Sequence, residues 1–295
     1  MERRMKKNMK DSAIVFDFDG TLIYGGRGGQ DKGIHLMYSS WVACYESGFQ
    51  EFLHLDALRE DVDRLLRAYL KYHGAPRFQQ LTVFLNALIN NIPAAVDDPE
   101  ALNISRELLS RYNDVRETYN RVYSALNDAA AQKYWRPFRS VKAALRVLAR
   151  DYDLYIASGL PQDLLEEDFA LYGFDPALFV GIFGSDACGA SDKGTILTRI
   201  KATGYKDMLF IGDSTTDLKY ASQAQTKFFR IKEDADYVRL LKILPEQMPD
   251  EHEPWTFTKA GIEWFESATT YLLEAYNSGT PMSPEAITDF INNQK

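Results

Sequence analysis

The stretch Ala13-Ile14-Val15-Phe16-Asp17-Phe18-Asp19-Gly20-Thr21 decides how this chain folds. Its apolar run, Ala13–Phe18, predicts a short buried strand. The strand closes on Asp-x-Asp-Gly. In open α/β sheets, ligands gather at the carboxyl ends of the strands. Asp17 and Asp19 are two apart, so they would share a face of a regular strand. Gly20 lets the chain turn away, and the two carboxylates can then take different roles. One can attack phosphorus to form an acyl phosphate. The other can protonate a leaving oxygen and later take a proton from water. The alternative is a polar strand-to-turn junction with no chemistry.

Outward from this strand, short β-rich runs recur with helical patterns between them. Leu154–Ala157, Leu178–Phe183, Met208–Ile211 and Lys227–Ile231 read as further strands. Val141, Leu145 and Leu148 mark one amphipathic helix, and Ile196, Leu197 and Ile200 another. Such alternation predicts an α/β fold: a Rossmann-like, doubly wound parallel sheet with helices on both faces. About a hundred residues between the first two strands break the alternation and read as helical. We therefore expect a catalytic core from 11–27 and 137–232, with a helical cap domain inserted at 28–136. A helical C-terminal extension spans 233–295, with Ser283-Pro284-Glu285 opening its last helix.

Three more strand ends or helix starts carry polar groups. Gly212-Asp213-Ser214-Thr215-Thr216-Asp217 follows the fourth strand. Mg²⁺ takes oxygen ligands, and Asp17, Asp213 and the Asp19 backbone carbonyl could hold one. Asp213 or Ser214 could instead cap the next helix. Ser158-Gly159 ends the second strand, where a hydroxyl and a backbone N–H suit a phosphate oxygen or an ordinary turn. Lys193 stands at a helix start, which disfavours a cation unless an anion accompanies it. A solvated lysine is the alternative.

Composition narrows the classes. The chain has 295 residues, 34 basic and 42 acidic side chains, and a net charge of -8. That balance argues against a nucleic-acid coat. No apolar run approaches 18 residues, so no transmembrane helix is expected. Cys44 and Cys188 form no C-x-x-C pair, and two lone cysteines fit a reducing, cytoplasmic setting.

The four motifs in this order resemble those of the haloacid dehalogenase superfamily. The best match is its branch containing phosphoglycolate phosphatase and β-phosphoglucomutase, over residues 11–232. DFDGT resembles the first motif, Ser158 the second, Lys193 the third and GDSTTD the fourth. The resemblance implies Asp17 as nucleophile and Asp19 as general acid and base. It implies Ser158, Gly159 and Lys193 as phosphate ligands, and Mg²⁺ held by Asp17, Asp19 and Asp213. Asp217 would orient Lys193 or a metal-bound water. The expected activity is Mg²⁺-dependent hydrolysis of a small phosphomonoester through a phospho-aspartate. A phosphomutase of the same fold is one alternative. A catalytically idle protein that binds a phospho-ligand or a partner is another.

The chain departs from the family pattern in places. Ile23–Gly29 holds four glycines around Arg27 and could act as a hinge. Gln223-Ala224-Gln225 stands where relatives often carry Ala-Gly. In the cap, His73-Gly74-Ala75-Pro76-Arg77-Phe78 resembles a loop that faces the active site in some relatives, which makes Arg77 a candidate specificity residue. His35 and His73 lack metal-ligand spacing. Tyr38, Trp41 and Tyr45 fit a core stripe or a pocket wall, and Trp255, Trp264 and Phe265 fit core packing or a partner surface. Oligomeric state and natural substrate are not read from the sequence.

Overall fold

A computed structural model describes residues 9–24, 136–187, 192–252 and Ser278. The chain divides into two compact units, 1–24 with 74–77 and 136–256, and 25–73 with 78–135 and 257–295. All described residues except Ser278 belong to the first unit. Of the expected cap at 28–136 only Arg136 is described, in β3 beside Tyr24; the rest lies outside the described residues, with Arg77, His35, His73, Tyr38, Trp41, Tyr45 and Cys44. So do Cys188, the glycine-rich stretch from Gly25 onward, and the tail aromatics.

The first unit is built on five strands: β1 (Ser12–Phe16), β4 (Asp153–Ala157), β5 (Phe179–Phe183), β6 (Asp207–Gly212) and β7 (Lys227–Arg230). Two short strands, β2 (Ile23–Tyr24) and β3 (Arg136–Pro137), pair antiparallel where the chain leaves this unit and where it returns. The helices are α1 (Val141–Asp151), α2 (Gln162–Leu171), α3 (Lys193–Lys201), α4 (Thr215–Gln223) and α5 (Asp234–Ile243). The sheet order is β5-β4-β1-β6-β7, and every pairing in it is parallel.

Alternation along the strands explains the layers. Ala13, Val15, Tyr155, Ala157, Met208, Phe210 and Phe228 face one side and pack against Ile196, Leu197 and Ile200 of α3 and Tyr220 and Ala221 of α4. Ile14, Phe16, Leu154, Ile156, Leu209, Ile211 and Phe229 point the other way and are fully buried. On that side α1 buries Val141, Ala144, Leu145 and Leu148. Arg239 of α5 stacks 4.3 Å over the Phe229 ring. Sheets buried on both faces read as continuous apolar runs, which is why the strands were legible.

β1 stops at Phe16, two residues short of the expected run. The Asp17 N–H still donates to the Ile211 carbonyl at 2.8 Å. Beyond it, the N–H groups of Thr21, Leu22 and Ile23 all turn back onto the Phe18 carbonyl. Phe18 is buried against Phe169, Tyr172 and Phe174, with ring centroids 5.8–6.4 Å away. Asp17 and Asp19 therefore sit on different pieces of backbone, one at a strand end and one in a turn.

Candidate active site

The carboxyl ends of β1, β4 and β6 bring the sequence motifs together on one side of the sheet. Asp17 leaves β1, Ser158 leaves β4, and Asp213 leaves β6. Lys193 is the first residue of α3, whose N-cap, Asp192, accepts from the Thr195 N–H at 2.7 Å. That cap satisfies a helix-end donor by a side chain other than the site's own carboxylates.

Lys193 is 2% exposed. Its ammonium pairs with Asp17 Oδ1 at 2.8 Å and with Asp217 Oδ1 at 2.8 Å. Burial works to lower its pKa, but the two carboxylates outweigh burial and raise it, so the side chain stays charged. A buried lysine at a helix N-terminus is expensive on its own. The paired carboxylates account for its presence.

Asp217 is fully buried on the first turn of α4. Its Oδ1 holds Lys193. Its Oδ2 accepts from the Ser214 N–H at 3.0 Å and the Ser214 hydroxyl at 2.6 Å. Ser214 returns the contact by accepting from the Asp217 N–H at 3.0 Å, completing a capping box. Ser214 is thus the cap, which leaves the Asp213 carboxylate available to the site.

The carboxylates are crowded. Oxygens of Asp17, Asp213 and Asp217 lie within 4.8 Å of one another. Burial pushes Asp17 up to about 7, against the pull of Lys193 and with a further push from Asp217. Burial raises Asp213 well above the ordinary carboxylate range, and Asp217 and Asp17 add to it. One ammonium does not balance three close carboxylates. The donor set is all hard oxygen, and the carboxylates resist ionisation without a further cation beside them. Both features fit Mg²⁺. Since both Asp217 oxygens are already engaged, the fit falls chiefly on Asp17 and Asp213.

Ser158 is buried, and its N–H donates to the Phe183 carbonyl at 2.9 Å. Its hydroxyl oxygen accepts from the Leu160 N–H at 3.1 Å, which orients the side chain at the start of the β4–α2 turn. Asp19 is half-buried in the turn after β1.

Three features of the site go beyond the sequence reading, which took Gly20 only as a turn residue. Gly20 has φ of 76°, and a Cβ there would lie 2.2 Å from Asp213 Oδ2. It is the close approach of Asp213, as much as the turn, that requires glycine. We expect Gly20→Ala to displace the Asp213 carboxylate, costing about 1–2 kcal/mol in backbone strain and roughly 100-fold in kcat/KM. A crystal structure of the variant and its steady-state rate would check this; an unmoved Asp213 with normal rate would refute it. The second feature is Arg230, the last residue of β7, paired in register with Gly212. Burial lowers its pKa to about 10, although Asp213, Glu251 and Asp236 pull it upward. The third is Tyr237 of α5, whose buried hydroxyl donates to the Thr21 carbonyl. Neither Arg230 nor Tyr237 carried a motif signal.

The chain is similar to known proteins. The family described as haloacid dehalogenase-like hydrolase matches residues 12–225. No curated protein sequence matches significantly. Among solved structures, a predicted phosphoglycolate phosphatase from Haemophilus somnus is 18% identical. That likeness covers 81% of this chain and 99% of that one, with a TM-score of 0.50. A haloacid dehalogenase-like family protein from Streptococcus pneumoniae is 18% identical, covers 83% and 95% of the two chains, and gives a TM-score of 0.44. Likeness at this identity speaks to the fold. The family match spans β1 through α4 and takes in every strand end that builds the site, so this chain belongs to the haloacid dehalogenase-like hydrolases.

Proposed function

We propose that the protein is a phosphatase that hydrolyses a small phosphomonoester through a phospho-aspartate on Asp17. The observation that carries this reading is the Asp17–Lys193–Asp217 chain, a buried carboxylate held at 2.8 Å by a buried ammonium that is itself held at 2.8 Å. A structural Asp–Lys–Asp chain has no need of a third carboxylate, Asp213, beside it. A site that holds a divalent cation next to an incoming phosphoryl group does.

In this reading Asp17 Oδ attacks phosphorus in line as the bond to the leaving oxygen breaks. Lys193, the Ser158 hydroxyl and the Gly159 N–H hold the equatorial oxygens, where charge spreads in the transition state. Asp19 gives its proton to the leaving alcohol, then takes one from the water that hydrolyses the phospho-aspartate. Asp17, Asp213 and the Asp19 carbonyl would hold Mg²⁺, which when bound offsets the repulsion between carboxylate and phosphate. Asp217 keeps Lys193 aimed at Asp17. Arg77, in the proposed cap at 28–136, is a candidate to select the organic part of the substrate. The similar Haemophilus somnus protein, a predicted phosphoglycolate phosphatase, is consistent with a small phosphate ester as substrate.

The test is hydrolysis of p-nitrophenyl phosphate and a panel of phosphometabolites, with and without Mg²⁺. We expect turnover that EDTA abolishes and Mg²⁺ restores. Silence across the panel in Mg²⁺ would remove the phosphatase reading.

A further inference from the structure

The helix α5 lies beyond residue 225, where the family match ends, yet it grips the turn that carries Asp19. The N–H groups of Thr21, Leu22 and Ile23 gather on the Phe18 carbonyl at 3.3, 2.8 and 3.4 Å. Asp19 also bridges to Ile23. The turn is therefore closed on its own backbone on one side. On the other side its Thr21 carbonyl points away from these bonds and receives the Tyr237 hydroxyl. Tyr237 is fully buried, its ring 5.7 Å from that of Phe138, which in turn stacks 4.5 Å from Tyr24. Burial raises the Tyr237 pKa well above the ordinary phenol value, with Asp234, Asp213 and Asp236 adding to it, so the hydroxyl remains a donor.

A second grip lies one helical turn earlier. Asp234 accepts from the Ser140 N–H at 2.8 Å and from the Ser140 hydroxyl at 2.8 Å. Ser140 precedes α1, just after the returning strand β3. The same helix thus holds the outgoing chain at Thr21 and the incoming chain at Ser140. Only the first of these contacts bears on Asp19.

We infer that Tyr237 is a positioning residue for the general acid, its hydroxyl holding the Thr21 carbonyl so that the turn presents the Asp19 carboxyl to the leaving oxygen. This rests on the phosphatase reading of Asp19. The chemistry provides a readout that packing alone would not move. When the leaving group is p-nitrophenolate, the P–O bond breaks without a proton. When it is a primary alkoxide, the Asp19 proton must transfer as the bond breaks. The kcat/KM reports steps up to that cleavage.

The experiment compares wild type, Tyr237→Phe, Asp234→Asn and Asp19→Asn on p-nitrophenyl phosphate and on a primary alkyl phosphate that the wild type turns over. Tyr237→Phe keeps the buried ring and removes the one bond. We expect its kcat/KM to fall about 10-fold on the alkyl ester and less than about 2-fold on the aryl ester. Asp234→Asn should leave the ratio of the two unchanged, and Asp19→Asn should widen it beyond Tyr237→Phe. Equal losses on both esters in Tyr237→Phe, or no loss on either, overturn the inference while an Asp19→Asn split leaves the phosphatase reading standing. No split in Asp19→Asn removes the general acid itself, and the inference with it. Amide hydrogen exchange gives a second, rate-independent measure. In Tyr237→Phe the Thr21–Ile23 amides should exchange about 10-fold faster than in wild type, with β1 unchanged. Unchanged exchange in that turn also overturns the inference.

Discussion

Asp17→Asn is expected to abolish turnover, with kcat reduced on the order of 10⁴-fold or more, because in the proposed mechanism an amide cannot form the phospho-aspartate. The fold should survive. The Asp17 N–H keeps its bond to the Ile211 carbonyl, and Lys193 keeps Asp217. The change also removes one negative charge from a cluster that burial already strains. Asp17 has its pKa raised from 3.8 to about 7. A group raised in the folded state gives its full stability below the unfolded value and loses it as pH rises through the folded one. The metal-free wild type should therefore weaken between about pH 4 and pH 7 relative to Asp17→Asn. Urea melts in EDTA at pH 5 and pH 8 would show the variant gaining on the wild type at the higher pH. Retained turnover in Asp17→Asn would remove Asp17 as nucleophile. An equal pH response in both proteins would show that the crowding is not felt.

Lys193→Met is the more damaging change, because it strikes rate and stability together. It removes the cation placed to hold a phosphate oxygen, with an expected loss of about 10³-fold in kcat/KM. It also leaves Asp17, Asp213 and Asp217 facing one another without the ammonium that pairs with Asp17 and Asp217. Breaking one side of a buried ion pair costs about 3–5 kcal/mol. Met fills nearly the same volume as the lysine stem, so the cost is electrostatic rather than a cavity. A second substitution separates the two effects. Asp217→Asn in the Lys193→Met background removes one of the orphaned carboxylates and should recover a measurable part of the stability, with none of the rate. Denaturation of the wild type, both single variants and the double variant gives the coupling directly. Additive stabilities would show that Lys193 and Asp217 do not act as a pair.

Much of the fold was legible because it is written in local runs. Strands buried on both faces declare themselves as apolar stretches, and β4, β5, β6 and β7 begin or end within a residue of the expected positions. β1 ran short because Phe18, though apolar, is buried by rings of the α2 region and not by strand pairing. The motif residues were legible as polar groups at strand ends and helix starts, where the structure places them. The choice between Asp213 and Ser214 as helix cap was open, because both residue types cap; geometry assigned it to Ser214. Tyr237 was not legible. It meets Thr21 across 216 residues of sequence, and within α5 it reads as one apolar position among others. Gly20 was read for its turn, while the 2.2 Å approach of Asp213 joins two motifs that no spacing rule connects.

The position of β1 also sets the order in which the molecule can be assembled. β1 is the middle strand, flanked by β4 on one side and β6 on the other. Ser12 meets Asp207 across the sheet, a separation of 195 residues (207 minus 12). A ribosome adding about 5–20 residues per second would leave β1 without its second neighbour for roughly 10–40 s. Until β4 is made, the apolar segment Ala13-Ile14-Val15-Phe16 has no strand of this sheet to pair with. The central strand is made first and both its neighbours come from more than a hundred residues away, so refolding should be slow and topology-limited. Nascent chains halted before β4 should be the ones that chaperones hold.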